Sequence, residues 1–371
     1  MRHVLAVYGT RPEAIKTAPL IAGLRADPRF RSTVLVTGQH RELLDQVNRL
    51  FDIQPDEDLD LCAPGQTPES LTADVVRALV PRFDALKPDV VVVQGDTTTA
   101  FAAALAAHYA RVPVAHLEAG LRSHAPDPFP EEANRRLITV LAALHLAPTP
   151  ANRDNLLREN VPADRIAVTG NTGLDALWSV ATGLGAYHDP VLGVLAARRH
   201  VLVTAHRRES WGEPLDRIAR AVRALAELEP DVVFVVPLHR NPVVRHVLCA
   251  RLLGVPNVLL TEPLSYHDTV RLVAEAHLVL TDSGGLQEEA PALGTPVLVL
   301  RDATERTESL DSGAARLVGT CEQHIVALAT RLLHDPAEHA RMTRGGCPYG
   351  DGAATARCLD ALAGLPPRPV C

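Results

Sequence analysis

Polar and apolar positions alternate in blocks along the chain, not residue by residue. Short β-rich apolar runs occupy the first half: "HVLAVY", "STVLVT", "DVVVVQ", "VPVAHL", "ALHLAP" and "RIAVT". A second set follows: "HVLVTA", "DVVFVVP", "NVLLT", "AHLVLT" and "TPVLVL". Each run is continuously apolar, as expected for a strand buried on both faces of a parallel sheet. Between them lie longer amphipathic stretches such as "ESLTADVVRALVPRFDALK" and "EPLDRIARAVRALAELE", which carry helical periodicity. The pattern predicts βαβ organisation, performed twice.

Glycine and proline cluster in "GNTGLDALWSVATGLGAYHDP", between the two sets of strands, and mark the expected joint. The predicted domains are residues 1–172 and residues 173–351. The tail, residues 352–371, reads as a final helix that rejoins the first domain. The 371 residues, 47% of them hydrophobic, suffice for two domains with real cores. Aromatics make up only 4%, so aliphatic packing must dominate.

A net charge of −7, with basic residues scattered, argues against nucleic acid as a partner. No apolar run approaches the ~20 residues that span a bilayer, and the N-terminal apolar stretch is too short for a signal peptide. Cys62, Cys249, Cys321, Cys347, Cys358 and Cys371 show no CxxC pairing. They are expected to be reduced thiols of a cytoplasmic protein, with neither a disulfide frame nor a metal site. Lysine occurs only at Lys16 and Lys87, which draws notice to Lys16 inside "GTRPEAIK".

Open parallel sheets bind ligands at the carboxyl ends of their strands, and capable residues fall there repeatedly. Gly9, Thr10 and Arg11 follow one run; Gly95, Asp96 and Thr97 another; Glu118 a third. In the second half His206, Arg207 and Arg208, then His239, then Asp282, Ser283, Gly284 and Gly285 do the same. Polar ends on both sets of strands predict one cleft between two facing domains.

"DSGGLQEEA" combines a glycine turn with two carboxylates. A helix beginning near Gly284 offers free N–H groups and a positive dipole end to a diphosphate. Glu289, one turn beyond Gly285, suits a sugar diol. A nucleotide satisfies both; equally, Glu288 and Glu289 suit any helical first turn. Arg11 and Lys16 offer countercharge at a similar turn ahead of a helix expected near Pro12. Neither GxGxxG nor GxxxxGK[ST] occurs, so dinucleotide and P-loop readings lack support. Glu131 and Arg135, four apart after Pro130, have an ordinary reading as a surface pair. His40 reads as a cap-region residue. His116 and Glu118 share a strand end, where one of the two is open to the reading of a buried, satisfied side chain.

Taken together these segments resemble the non-hydrolysing UDP-N-acetylglucosamine 2-epimerase family. "GTRPEAIKTAPL", "TGQHRELLDQV", "QGDTTTA", "HLEAGLRS", "PEEANRRL", "TGNTGLDAL", "TAHRRES", "DSGGLQEEAPALGTPVLVLRDATER" and "CPYGDG" carry the likeness over nearly the whole chain. The resemblance implies two Rossmann-like domains with parallel sheets facing across a cleft, the glycosyltransferase-B-like α/β fold. It implies interconversion of UDP-N-acetylglucosamine and UDP-N-acetylmannosamine through UDP elimination, without a cofactor, by a cytoplasmic homodimer. It assigns catalysis to Asp96, Glu118, Glu131 and His206. Substrate contacts fall to Arg11, Lys16, Arg135, Ser283, Gly284, Gly285 and Glu289, and His239, at its strand end, is a further substrate-binding candidate. Contacts to a second, activating UDP-sugar fall to Gln39, His40, Gln66 and Arg207. The chain departs from the family in a shorter "RSHAPDPFPEE" loop, in Arg240 and in "TERTE". A hydrolysing epimerase, a glycosyltransferase of the same fold and a non-catalytic nucleotide-sugar sensor stay open on these grounds.

Overall fold

The structure, a computed structural model, describes residues 1–38, 41–61, 65–124, 129–195 and 198–366. It divides into two compact units, Met1–Trp178 with Tyr349–Cys371, and Ser179–Pro348. The division falls inside the helix Thr172–Ala181.

The first unit contains strands β1 (Arg2–Tyr8), β2 (Phe30–Val36), β3 (Glu57–Asp58), β4 (Val90–Gln94), β5 (Val114–Leu117), β6 (Leu144–Ala147) and β7 (Ile166–Val168). They form one sheet in the order β3-β2-β1-β4-β5-β6-β7, every pair parallel. The strands are apolar throughout because both faces are covered. Leu5, Val7, Val91 and Val93 pack under Leu79, Phe83 and the alanine-rich helix Thr98–Tyr109. Val4, Val90, Val92 and Leu117 face the other way, onto Leu20 and Leu24. Cys358, Leu359 and Leu362 of the helix Ala354–Gly364 join that second face. Full burial of one such leucine contributes about 1.5–3 kcal/mol, so the terminal helix is held by several such contacts.

The second unit contains β8 (His200–Thr204), β9 (Val233–Pro237), β10 (Val258–Thr261), β11 (Leu278–Thr281), β12 (Val297–Val299) and β13 (Ala315–Leu317). Their order is β10-β9-β8-β11-β12-β13, again all parallel. Two clusters cover its faces, one around Val201, Val203, Phe234 and Leu280, the other around Leu202, Val235, Val279 and Val299. The expected two parallel-sheet α/β domains are therefore present.

The apolar runs anticipated eleven strands; β3 and β13 were not among them. Both are short edge strands, paired on one side only. Strand pairing there depends on a neighbour's register, which leaves little local trace. Among the described residues no helix is long and apolar enough to cross a membrane.

Candidate active site

In the first unit, chemistry-bearing residues gather where β1, β4 and β5 end. The turn after β1 is built around Glu13. Thr10 caps the helix Arg11–Ala26, with Glu13 completing a capping box. Oε2 of Glu13 accepts from the amides of Gly9 (3.1 Å) and Thr10 (2.7 Å), and Oε1 accepts from the Thr97 hydroxyl (2.7 Å). Thr97 in turn caps the helix Thr98–Tyr109. One buried carboxylate thus clamps together the turns that carry Arg11 and Asp96. Burial raises its pKa against these donors. Gly9 is obligatory in this turn, since a Cβ would lie 2.2 Å from the Thr37 hydroxyl.

Asp96 follows Gly95, whose φ of +69° suits glycine. The Asp96 carboxylate receives a two-pronged contact from Arg135, at 2.8 Å from Nε and 2.7 Å from Nη2. Arg135 also reaches Glu132 at 2.9 Å, and Asn134 donates to the Asp96 carbonyl at 2.9 Å. Arg135 is only 4% exposed. The ordinary surface pair with Glu131 therefore does not form: Arg135 turns inward and fixes the Asp96 loop. Glu131 opens the helix Glu131–Leu141, and its buried Oε2 has no hydrogen-bond partner among the described residues.

Glu118 sits at φ +68°, a conformation that costs a non-glycine residue and persists where the surroundings demand it. Its two oxygens meet Lys16 Nζ and Gln94 Nε2. A Cβ on Gly95 would stand 3.5 Å from its Oε2, so the Glu118 carboxylate lies over the turn that presents Asp96. Of the pair on β5, His116 is the buried, structural one. Its Nε2 lies 2.7 Å from the Gly95 carbonyl, and burial lowers its pKa to about 4. A neutral ring that donates from Nε2 to that carbonyl holds the same turn.

In the second unit the ends of β8, β9 and β11 do the corresponding work. His206 and Arg207 follow β8, and their backbone amides donate to Oδ2 of Asp282 at 2.7 and 2.8 Å. The His206 ring stacks on His239 with centroids 5.2 Å apart and planes 6° from parallel. Ser283 caps the helix Gly284–Ala292 by position only, making no side-chain capping bond. The first amides of that helix are left for another acceptor.

The two glycines at this turn have different causes. A Cβ on Gly284 would meet the Arg306 guanidinium at 2.7 Å, whereas one on Gly285 would meet nothing within 4 Å. The two adjacent carboxylates also separate. Glu288 is buried and pairs with Arg306 at 3.0 Å. Glu289 accepts from the Tyr266 hydroxyl at 3.1 Å. Arg306 further meets Glu305, which Arg301 also contacts at 2.9 Å. Burial works to raise the Glu305 pKa, yet Arg306, Arg301 and Arg207 together hold it far below the ordinary carboxylate range. Burial lowers the pKa of Arg207, which lies 4.0 Å from Glu305.

Among the residues expected from sequence, Lys16, Asp96, Glu118 and Arg135 share direct contacts or the Gly95 turn, and Glu131 heads the helix that docks on it. Arg11 begins the neighbouring helix. His206, Arg207, His239, Ser283, Gly284, Gly285 and Glu289 fall in the second unit. Gln66 donates to Asp74 at 2.9 Å in the first unit. Gln39 and His40 lie outside the described residues. Glu13, Gln94, Glu132, Asn134, Tyr266 and Arg306 were not anticipated as site residues, and Asp282 was noted at its strand end without a role. Only Glu13 had a local signal, the capping-box spacing from Thr10.

A family model described as UDP-N-acetylglucosamine 2-epimerase matches residues 22–363. The UDP-N-acetylglucosamine 2-epimerase of Escherichia coli (strain K12) is 50% identical over 369 residues, covering 97% of this chain and 98% of its own. The Bacillus subtilis protein of the same name is 48% identical over 360 residues, covering 97% and 94%. The crystal structure of the Neisseria meningitidis UDP-GlcNAc 2-epimerase bound to UDP-GlcNAc superposes with a TM-score of 0.92 at 44% identity, covering 97% and 99%. A Methanocaldococcus jannaschii UDP-GlcNAc 2-epimerase in complex with UDP-GlcNAc and UDP gives 0.86 at 30% identity, covering 97% and 99%.

Proposed function

Since the chain belongs to the UDP-N-acetylglucosamine 2-epimerase family, we propose that it interconverts UDP-N-acetylglucosamine and UDP-N-acetylmannosamine by eliminating UDP and adding it back. The C2 proton has no carbonyl beside it, so direct removal is too costly. Cleavage of the C1–O bond sends the electron pair out with UDP and gives C1 oxocarbenium character. A carboxylate then takes the acidified C2 proton, leaving a glycal. Protonation of C2 on the opposite face, with UDP oxygen attacking C1, completes the inversion.

Asp96, Glu118 and Glu131 serve the two proton transfers. Lys16 and Arg135 hold the first two carboxylates in place. The Gly284–Gly285 helix start, Ser283, His206, His239 and Arg11 serve the diphosphate, whose charge grows as the bond breaks. Glu289, oriented by Tyr266, takes the ribose diol. Gln39, His40, Gln66 and Arg207 are assigned to a second UDP-sugar. The observation that carries this reading is the pair of carboxylates at the Gly95 turn, a half-buried Asp96 held by Arg135 and a strained Glu118 held by Lys16, together with an uncapped Gly-Gly helix start in the second unit.

The test is turnover of UDP-N-acetylglucosamine in deuterated water, followed by NMR. The expected product is UDP-N-acetylmannosamine carrying deuterium at C2. Free N-acetylmannosamine with UDP would instead indicate a hydrolysing epimerase. Products without deuterium would exclude the proton removal. Asp96→Asn, Glu118→Gln and Glu131→Gln are each expected to abolish epimerisation while UDP binding persists, and full turnover in any of them removes that residue from the set.

The proposed assembly is a homodimer in the cytoplasm. Tyr109, Leu137 and Val140 are 67%, 47% and 83% exposed on the neighbouring helices Thr98–Tyr109 and Glu131–Leu141, and these side chains are the proposed contact between copies. Among the described residues Cys249, Cys321 and Cys358 are free thiols, in keeping with a reducing compartment. Val140→Glu is expected to shift the mass measured by light scattering from dimer to monomer; an unchanged dimer would move the interface elsewhere.

A further inference from the structure

We propose that Asp282 is a positioning residue that keeps a proton on Nδ1 of His206, so that Nε2 is the atom His206 presents to the departing diphosphate. The inference rests on the placement of His206 in the reaction given above.

Asp282 follows β11 and is 0% exposed. Its backbone is tied to β8 through a hydrogen bond to the Thr204 carbonyl at 3.2 Å. Oδ2 is saturated by the two amides of His206 and Arg207. Oδ1 makes no hydrogen bond with the described residues, yet it lies 3.3 Å from Nδ1 of His206. A buried carboxylate oxygen facing a bare imidazole nitrogen would set two lone pairs against each other. It would also leave a buried charged acceptor unsatisfied, which is costly. A proton on Nδ1 turns the same approach into a charge-assisted hydrogen bond after a small ring rotation.

The surroundings hold the ring for this contact. The His206 amide is pinned by Asp282, and its carbonyl accepts from Trp211 Nε1 at 3.3 Å. His239 stacks on the ring and is itself set by the Asn241 amide, which donates to its Nδ1 at 3.1 Å. His239 therefore carries its proton on Nε2 and has none to give on the Nδ1 side. The His206 side chain remains 35% exposed, so the ring is not sealed off from a ligand. With Nδ1–H held by Asp282, Nε2 is free to take up a proton and to donate it to a phosphate oxygen. Asp282 then faces an imidazolium, which it stabilises by charge. The orienting group of a catalytic histidine acts through the same physics.

The test uses the full-length enzyme labelled with ring-15N histidine and long-range 1H–15N NMR at alkaline pH, where the ring is neutral. His206→Gln identifies the His206 signals among the 16 histidines by their loss. The expected wild-type spectrum shows a protonated Nδ1 and a bare Nε2. Asp282→Asn keeps an oxygen for the two amides and sets an NH2 group against Nδ1. It is expected to move the proton to Nε2 and to lower kcat by about 10–100-fold, with a much smaller change in KM. A wild-type ring protonated on Nε2 overturns the proposal, even if Asp282→Asn fails to fold. So does an Asp282→Asn enzyme with an unchanged tautomer or unchanged kcat. Full turnover by His206→Gln would instead overturn the assignment of His206 to the reaction, and it is read from a different variant by a different assay.

Discussion

Gly284→Ala and Gly285→Ala, substitutions one residue apart, should act in opposite directions on stability. By helix propensity alone the two changes are alike. Each replaces a first-turn glycine by alanine and would stabilise by up to about 1 kcal/mol. The structure separates them. At Gly284 the new methyl would lie 2.7, 2.9 and 3.0 Å from Cζ, Nη1 and Nε of Arg306. Arg306 has little room to retreat, because Glu288 holds Nε at 3.0 Å and Glu305 holds Nη1. Either the helix start shifts or a buried ion pair opens. Overpacking of this kind costs about 1–3 kcal/mol, and loss of a buried pair about 3–5 kcal/mol. Gly284→Ala should therefore destabilise the second unit by about 1–3 kcal/mol. At roughly 2–4 °C per kcal/mol for a unit of this size, calorimetry should show its transition several degrees lower. At Gly285 the methyl enters open space, so stability should hold or rise. That space is where the diphosphate is proposed to approach, so UDP affinity measured by titration calorimetry should fall by about tenfold, or ~1.4 kcal/mol. A stable Gly284→Ala protein, or equal destabilisation by both changes, would refute the packing argument. Undiminished UDP affinity in Gly285→Ala would refute the assignment of the helix start to the diphosphate.

Three further outcomes follow from the same contacts. His116 and His145 are buried, and burial lowers their pKa values from 6.5 to about 4 and about 3. The unfolded chain binds protons that the folded one excludes, so stability is full above pH 6.5 and falls as pH drops from there towards 4. Each tenfold loss of proton affinity on folding is worth on the order of 1.4 kcal/mol, and denaturation of His145→Gln across that range should show a shallower slope. Glu13→Ala leaves the Gly9 and Thr10 amides and the Thr97 hydroxyl without their acceptor, at about 1–3 kcal/mol each. Chemical denaturation should show a loss of several kcal/mol, and Glu13→Gln, which keeps one acceptor oxygen, should lose clearly less. Tyr266→Phe removes the donor that orients Glu289; steady-state kinetics should show KM raised by up to about tenfold with kcat little changed, since the ribose contact is made equally in substrate and transition state.

The parallel sheets and most of their strands were legible in the chain because burial on both faces writes a continuous apolar run. Val90–Gln94 and Leu278–Thr281 announce themselves in this way. Glu57–Asp58 and Ala315–Leu317 do not, because an edge strand of two or three residues exists through its neighbour and not through its own composition. Residue types at strand ends were legible for a similar reason: Gly95, Asp96, Glu118, His206 and Ser283 interrupt apolar runs where a sheet must stop. Local spacing also carried the Thr10–Glu13 capping box.

What the chain could not show is which partner each polar group would take. Glu288 and Glu289 are adjacent and identical, yet one pairs with Arg306, eighteen residues away, and the other with Tyr266, twenty-three residues before it. Arg135 is spaced to pair with Glu131 and instead spans Asp96 and Glu132. Asp282 sits seventy-six residues from His206 and meets it because β8 and β11 are neighbours in the sheet. Periodicity records how much of each residue is hidden from water, and sequence alone therefore determined the strands covered on both faces and the positions where polar groups emerge from them. Hydrogen bonds and ion pairs are made across space at about 3 Å, so the tertiary structure alone decided which of those groups would orient another and which were left to meet a ligand.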